Sequence, residues 1–280
     1  MGPVPRKWYV DWQSEDHGRV FDGRRALSDK NLVRNYESFN DVQLLNERLD
    51  RARKVSLLEV GCATGEFYRY LRTKYPLVNY RGIDISRSAI ARARQKYPQE
   101  RFFVSDAGAK VADTVKLLGM PENPAIVYSK DVAHHQTNPR EFVTQLVEVT
   151  SEALIIRVRT RDVGQTVADP ELSCQYHYQG WMPYIVLNLE ELIAHITSLL
   201  PGCELVAYRN HVVLGGRENR FLPKECYLPE TGTAETAVGV FLKTDHPGRV
   251  RVEDRKDRAI RYSLDRRLKN YAGRILRNLV

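Results

Sequence analysis

The stretch SLLEVGCATGEFYRYL, Ser56 to Leu71, limits what this chain can fold into more than any other part of it. It opens on Leu57, Leu58, Glu59 and Val60, a short apolar run broken by one acid, which suits a strand buried on both faces of a parallel sheet. The chain must then turn sharply. Gly61, Ala63 and Gly65 place small residues at alternate positions, so the backbone can adopt conformations closed to larger side chains and approach a ligand closely. A strand, a tight turn and a helical run in that order form the start of a nucleotide-binding α/β unit. Two common versions fit poorly. The dinucleotide fingerprint needs a third glycine where this chain has Glu66, and a phosphate-gripping P-loop needs a Gly-Lys-Ser/Thr ending that is missing here. A plain structural glycine turn also matches this stretch taken alone.

Later strand ends extend the pattern. The run Tyr80-Arg-Gly-Ile-Asp84 ends in an acid about 20 residues past the glycines, the spacing that lets a carboxylate meet ribose hydroxyls. Ser86 can cap the helix that follows. RFFVS ends in Ser105, Asp106 and Ala107, and AIVYS ends in Ser129, Lys130 and Asp131. The pattern Glu59-x-Gly61-x-Ala63-x-Gly65 with these strand ends resembles the class I S-adenosylmethionine-dependent methyltransferases, with Ala63 standing where many members have a second glycine. That resemblance implies S-adenosyl-L-methionine as cofactor, held by Glu59, Gly61, Ala63, Gly65, Asp84, Ile85, Asp106, Ala107 and Ser129. Asp84 would hold the ribose, Ile85 would pack on the adenine, Asp106 would meet its amino group, and Glu59 would organise the loop near the methionine amine.

Helix signals fall between these strands. Pro76 and Pro98 stop helices that begin near Glu66 and Arg87, and a third, Lys110 to Leu118, ends at Gly119 and Pro121. Asn138-Pro139-Arg140-Glu141 combines a cap, a proline in the first turn and a glutamate at the third position. ALIIRV is a fifth strand. Asn188 and Glu191 form a capping-box variant before the helix Leu189 to Leu200, and CELVAYRNHVV and AVGVFLKT are two more strands. The fold expected is α/β, a doubly wound, mostly parallel seven-stranded sheet of the Rossmann-like methyltransferase type. Residues 1–50 would be a helical or lid segment, with Trp8, Tyr9, Trp12 and Tyr36 as aromatics that pack on the domain or reach the cofactor. Residues 51–245 would be the methyltransferase domain. Within it, residues 161–187 hold Tyr176, His177, Tyr178, Trp181 and Tyr184, an aromatic group suited to sugar rings or aromatic acceptors.

The loop Lys130-Asp131-Val-Ala-His134-His135-Gln-Thr-Asn-Pro139 resembles that of small-molecule O-methyltransferases, where a histidine stands four residues before a similar proline. His135 matches it as general base or hydroxyl orienter, with His134 second and His177 third. Histidine suits proton transfer near neutral pH. The alternatives are helix capping or a metal site, and adjacent histidines rarely converge on one ion without another carboxylate. The segment from Trp181 to Glu191 resembles one in methyltransferases of surface-polysaccharide clusters. A methylated hydroxyl on a small molecule or glycan is therefore the expected product, against an RNA methyltransferase or a non-catalytic cofactor-binding module.

Charge argues against nucleic acid as the main partner. Of the net charge of +8, residues 249–280 carry nine Arg and two Lys against four acids, a net +7, so the catalytic domain is close to neutral. Residues 246–280 are expected to form a basic amphipathic helix, because Ile260, Leu264, Leu268, Tyr271, Ile275 and Leu279 recur at helical spacing. Such a helix would dock on its own domain, on a second subunit as a homodimer, or on an anionic membrane. The absence of any apolar run of about 18 residues fits a cytoplasmic protein, peripheral to a membrane at most. Cys62, Cys174, Cys203 and Cys226 are too scattered for a zinc site or a disulfide framework.

Overall fold

The computed structural model describes residues 27–258 apart from 107, 121–122, 171–172, 178–179, 213, 215–219 and 222–231. Two helices, α1 (Asp29–Tyr36) and α2 (Asn40–Asn46), precede the first strand, β1 (Val55–Val60). An alternating run follows: α3 (Glu66–Lys74), β2 (Val78–Asp84), α4 (Arg87–Lys96), β3 (Phe102–Val104), α5 (Val111–Leu117), β4 (Ile126–Lys130), α6 (Pro139–Glu148) and β5 (Ala153–Arg161). Beyond it lie β6 (Cys174–His177), β7 (Gly180–Pro183), β8 (Leu187–Asn188), α7 (Leu189–Leu199), β9 (Glu204–His211), β10 (Arg220–Phe221), β11 (Thr233–Phe241) and β12 (Val250–Asp254).

The main sheet has the order β12-β9-β11-β5-β4-β1-β2-β3, with β8 beside β5. β1 runs parallel to β2 and β4, whereas β11 is antiparallel to both β5 and β9. The seven expected strands are all present, and β12 and β8 add to them. Strand order reverses at β1 and β4, which opens a crevice at their carboxyl ends, the usual ligand position in such sheets.

The sheet is covered on both faces because its central strands are apolar on both. Leu57, Tyr128 and Ile155 pack with α1 through α4, and Leu58, Val127, Leu154 and Ile156 pack with α5 through α7. The helix starts use the expected side chains. Ser86, Asn138 and Asn188 accept from the backbone N–H groups of Ala89, Glu141 and Glu191, each cap contributing about 1 kcal/mol. The reciprocal half of the box at Asn188 is not made. Its N–H donates to Thr166 Oγ1 at 2.8 Å, and the Glu191 carboxylate turns to the Thr166 N–H instead.

Residues 161–187 fold back as the hairpin β6–β7, with β10 on its outer side as a third antiparallel strand. The long link between β9 and β11 therefore sends one strand to this small sheet. The tail departs from expectation. Instead of continuing a helix, Val250–Asp254 pairs in parallel with β9 at the edge of the main sheet, because Arg249-Val250-Arg251-Val252 alternates with a period of two. Residues 255–258 then cross to α2. The Ile260 to Leu279 face and the first 26 residues lie outside the described residues. No helix among the described residues is long and apolar enough to cross a membrane.

Candidate active site

The glycine turn between β1 and α3 depends on left-handed backbone. Gly61 has φ +86° and Gly65 φ +79°, and Ala63 between them has φ 47°, uncommon for a residue with a Cβ. The turn also leaves little room. A Cβ on Gly61 would lie 2.3 Å from Val132 Cγ2, and one on Gly65 would lie 2.7 Å from the Phe102 ring. Gly61 N–H donates to the Ile83 carbonyl at 2.8 Å, which ties the turn to the end of β2.

Asp84 stands at that end. Its Oδ2 accepts from Ala63 N–H and its Oδ1 from Ser86 N–H, both at 2.8 Å, so one carboxylate joins the glycine turn to the cap of α4. A carboxylate can accept about four hydrogen bonds, so a vicinal diol can share it with these two donors. Half-buried Ile85 lies between the carboxylate and the cap. Asp106, at the end of β3, is exposed and lies 3.4 Å from Arg87. Ala107 lies outside the described residues. These residues fit S-adenosylmethionine: a turn without side-chain bulk, a ribose-competent acid and an apolar neighbour for a base.

Glu59 is buried and accepts the Tyr80 hydroxyl. The interaction requires Gly82, where a Cβ would lie within 3 Å of both Tyr80 Oη and Cys62. Burial first, and then Asp84 and Glu59, push the Cys62 thiol up, so it stays protonated and acts as a small filler. Ser129 donates to the Val60 carbonyl at 2.9 Å and pins β4 to β1, which commits its hydroxyl hydrogen to the sheet. Tyr36 is buried among Phe67 and Tyr70, in the core.

After β4 the chain turns at Asp131, with φ 59°, into a short 3-10 turn, Ala133–His135. His135 is half-buried, and its Nδ1 lies 2.9 Å from the Pro183 carbonyl oxygen. A carbonyl only accepts, so Nδ1 carries the proton and Nε2 carries the ring lone pair. The His134 ring lies 4.2 Å away and is buried. Burial first, then His135 and Arg159, hold its pKa well below the ordinary histidine value. Its Nδ1 has no hydrogen-bond partner among the described residues. Tyr184 packs edge-on against it at 5.3 Å. Tyr176 pairs with Trp181, and His177 with Gly180, across the β6–β7 hairpin; Tyr178 lies outside the described residues.

A buried ionic cluster beside the histidines escaped the sequence reading. Arg157 lies 3.2 Å from Asp257, 3.8 Å from both Asp41 and Asp131, and pairs closely with Glu235. Arg159 lies 3.2 Å from Asp131 and 3.0 Å from Glu235. Lys130 lies 3.7 Å from Asp41 and 3.4 Å from the Phe39 ring centroid. Burial alone would push Asp131 up, but Arg159, Arg157 and Lys130 outweigh it and hold its carboxyl well below the usual range. The signal was Arg157-x-Arg159-x-Arg161 on one face of a central strand, an arrangement that demands buried acids opposite.

Residues 58–152 match the profile of a family described as "Methyltransferase domain". No curated protein sequence matches the chain. Among solved structures, the O-methyltransferase from a trans-AT PKS multienzyme of Brevibacillus brevis, in complex with S-adenosyl-L-homocysteine, is 12% identical, with a TM-score of 0.52 over 86% of this chain and 84% of its own. The plantazolicin methyltransferase BpumL with the same ligand is 18% identical, with a TM-score of 0.49 over 80% and 88%. A TehB-like SAM-dependent methyltransferase from Corynebacterium glutamicum is 15% identical, with a TM-score of 0.45 over 81% and 98%. At 12% identity the likeness to the first of these is one of fold alone. The family match covers the glycine turn and the ends of β1 to β4, so residues 58–152 of this chain are a methyltransferase domain.

Proposed function

We propose that the enzyme methylates a hydroxyl of a small molecule or glycan, with His135 as the general base. The observation that carries this reading is the 2.9 Å contact from His135 Nδ1 to the Pro183 carbonyl. It fixes the tautomer in which Nε2 can take a proton. S-adenosylmethionine, when bound, supplies an electrophilic methyl carbon on a sulfonium. The chain's part would be to align the acceptor oxygen in line with that carbon and to receive the hydroxyl proton at His135 Nε2 as the methyl's bond to oxygen forms and its bond to sulfur breaks, with the thioether as leaving group. His134 is the weaker base, since burial keeps its ring neutral. It supports the site by packing against His135 and Tyr184.

The test is methyl transfer from tritium-labelled S-adenosylmethionine into pools of glycans and phenols. Once an acceptor is found, His135→Ala should lower turnover by about 10²- to 10⁴-fold. Calorimetric affinity for S-adenosyl-L-homocysteine should not change. A fully active variant would remove the base role, and transfer into RNA alone would replace the acceptor class.

A further inference from the structure

Arg159 meets three different groups, two acids by ion pairing and one phenol by a hydrogen bond. Its Nη1 faces Asp131 and Glu235, and its Nε donates to the Tyr184 hydroxyl at 3.1 Å. Tyr184 is buried, and the backbone on either side of it grips the histidine turn. Pro183 gives its carbonyl to His135 Nδ1, and Ile185 N–H donates to the His134 carbonyl at 2.8 Å. Tyr184 N–H itself donates to the Ser173 carbonyl at 2.9 Å. Asp131 opens the same turn that His135 closes. The contacts form a ring: Asp131 to Arg159, Arg159 to Tyr184, the adjoining Pro183 carbonyl to His135, and the turn back to Asp131.

We infer that Arg159 is a positioning residue acting through Tyr184: by anchoring the phenol it fixes the Pro183 carbonyl where His135 must keep its proton on Nδ1. The catalytic consequence rests on His135 being the base, but the tautomer itself can be measured without an acceptor. The guanidinium matters because a lysine ammonium could pair in charge with the two acids but lacks the rigid Nε–H that donates to Tyr184. Side chains that orient a general base in this way set the protonation state from which it works.

The experiment uses the full chain saturated with S-adenosyl-L-homocysteine and labelled with ¹⁵N in its histidine rings. Two-bond proton–nitrogen correlation spectra read the tautomer of each ring, with the His135 signals assigned by their loss in His135→Gln. Wild type should show His135 in the Nδ1–H form alone. In Tyr184→Phe and Arg159→Lys the Nε2–H form should become the major neutral species, while affinity for S-adenosyl-L-homocysteine stays within twofold of wild type. Tyr184→Phe leaves the ion pairs in place and decides the matter alone if Arg159→Lys does not fold. His135 remaining wholly in the Nδ1–H form in folded Tyr184→Phe would overturn the inference. A shifted tautomer together with full activity of His135→Ala would sink the base assignment and leave the positioning role standing.

Discussion

At single residues, the glycine turn between β1 and α3 depends on backbone conformations that side chains oppose. Ala63 sits at φ 47°, where an L-residue is disfavoured by about 1–2 kcal/mol, whereas glycine costs about 0.4–1 kcal/mol through the freer unfolded chain. The first effect is larger, so Ala63→Gly should stabilise the protein by about 0.5 kcal/mol in urea denaturation. Gly61→Ala meets both penalties. Left-handed strain adds about 1–2 kcal/mol, and crowding of Val132 about 1–3 kcal/mol more. Adding Val132→Ala should recover the crowding and not the strain; a double variant no more stable than Gly61→Ala would show that Val132 is not the obstacle. Asp84→Ala should weaken S-adenosyl-L-homocysteine binding by about 10- to 100-fold, since charged hydrogen bonds contribute about 1.5–3 kcal/mol. Unchanged calorimetric affinity would move the ribose site elsewhere.

At the scale of elements, what could be read beforehand divides by range along the chain. β1 to β5 and the helices between them follow from short apolar runs, prolines and caps, all signals within about ten residues of what they specify. The β6–β7 hairpin and β12 were harder, because aromatic clustering does not fix strand pairing and a basic run masked the alternation of Val250 and Val252. The ionic cluster is non-local altogether: Arg157 meets Asp41 from α2 and Asp257 from the tail. That tail segment straps α2 to the sheet. Asn40 N–H donates to Asp257 Oδ1 at 2.9 Å, its side chain donates to the Arg255 carbonyl at 2.6 Å, and Arg258 N–H donates to the Ser38 carbonyl at 2.8 Å. Truncation after Asp254 should therefore speed amide exchange in residues 39–46 by at least about tenfold while leaving β1 and β4 protected. Equal protection in both chains would show that α2 holds by apolar packing alone. Arg157→Met should cost more, about 3–5 kcal/mol, because it strands buried carboxylates without their cation.

For the molecule as a whole, the buried titratable groups confine stability to a window of pH. The His134 pKa is depressed in the fold, so below about pH 6.5 the unfolded chain takes up a proton that the native state refuses. Its contribution is present above that pH and is lost as pH falls toward the lowered value, at up to about 1.4 kcal/mol per pH unit. Asp131 follows with the same sign, starting below about pH 3.9. Asp257, pushed up by burial, opposes this, because its contribution is full below about pH 3.9 and fades as pH rises through the raised value. On the alkaline side the Cys62 and Cys203 thiols and the Tyr80 and Tyr128 hydroxyls are raised by burial. The unfolded chain loses those protons first, from about pH 8.5 for cysteine and about pH 10 for tyrosine. Urea midpoints should therefore peak between about pH 6.5 and 8.5 and fall on both sides. His134→Gln should make the acid decline below about pH 6.5 shallower, leaving the part due to His195, whose pKa is also lowered by burial. An acid limb just as steep below about pH 6.5 in that variant would assign the whole effect to another histidine.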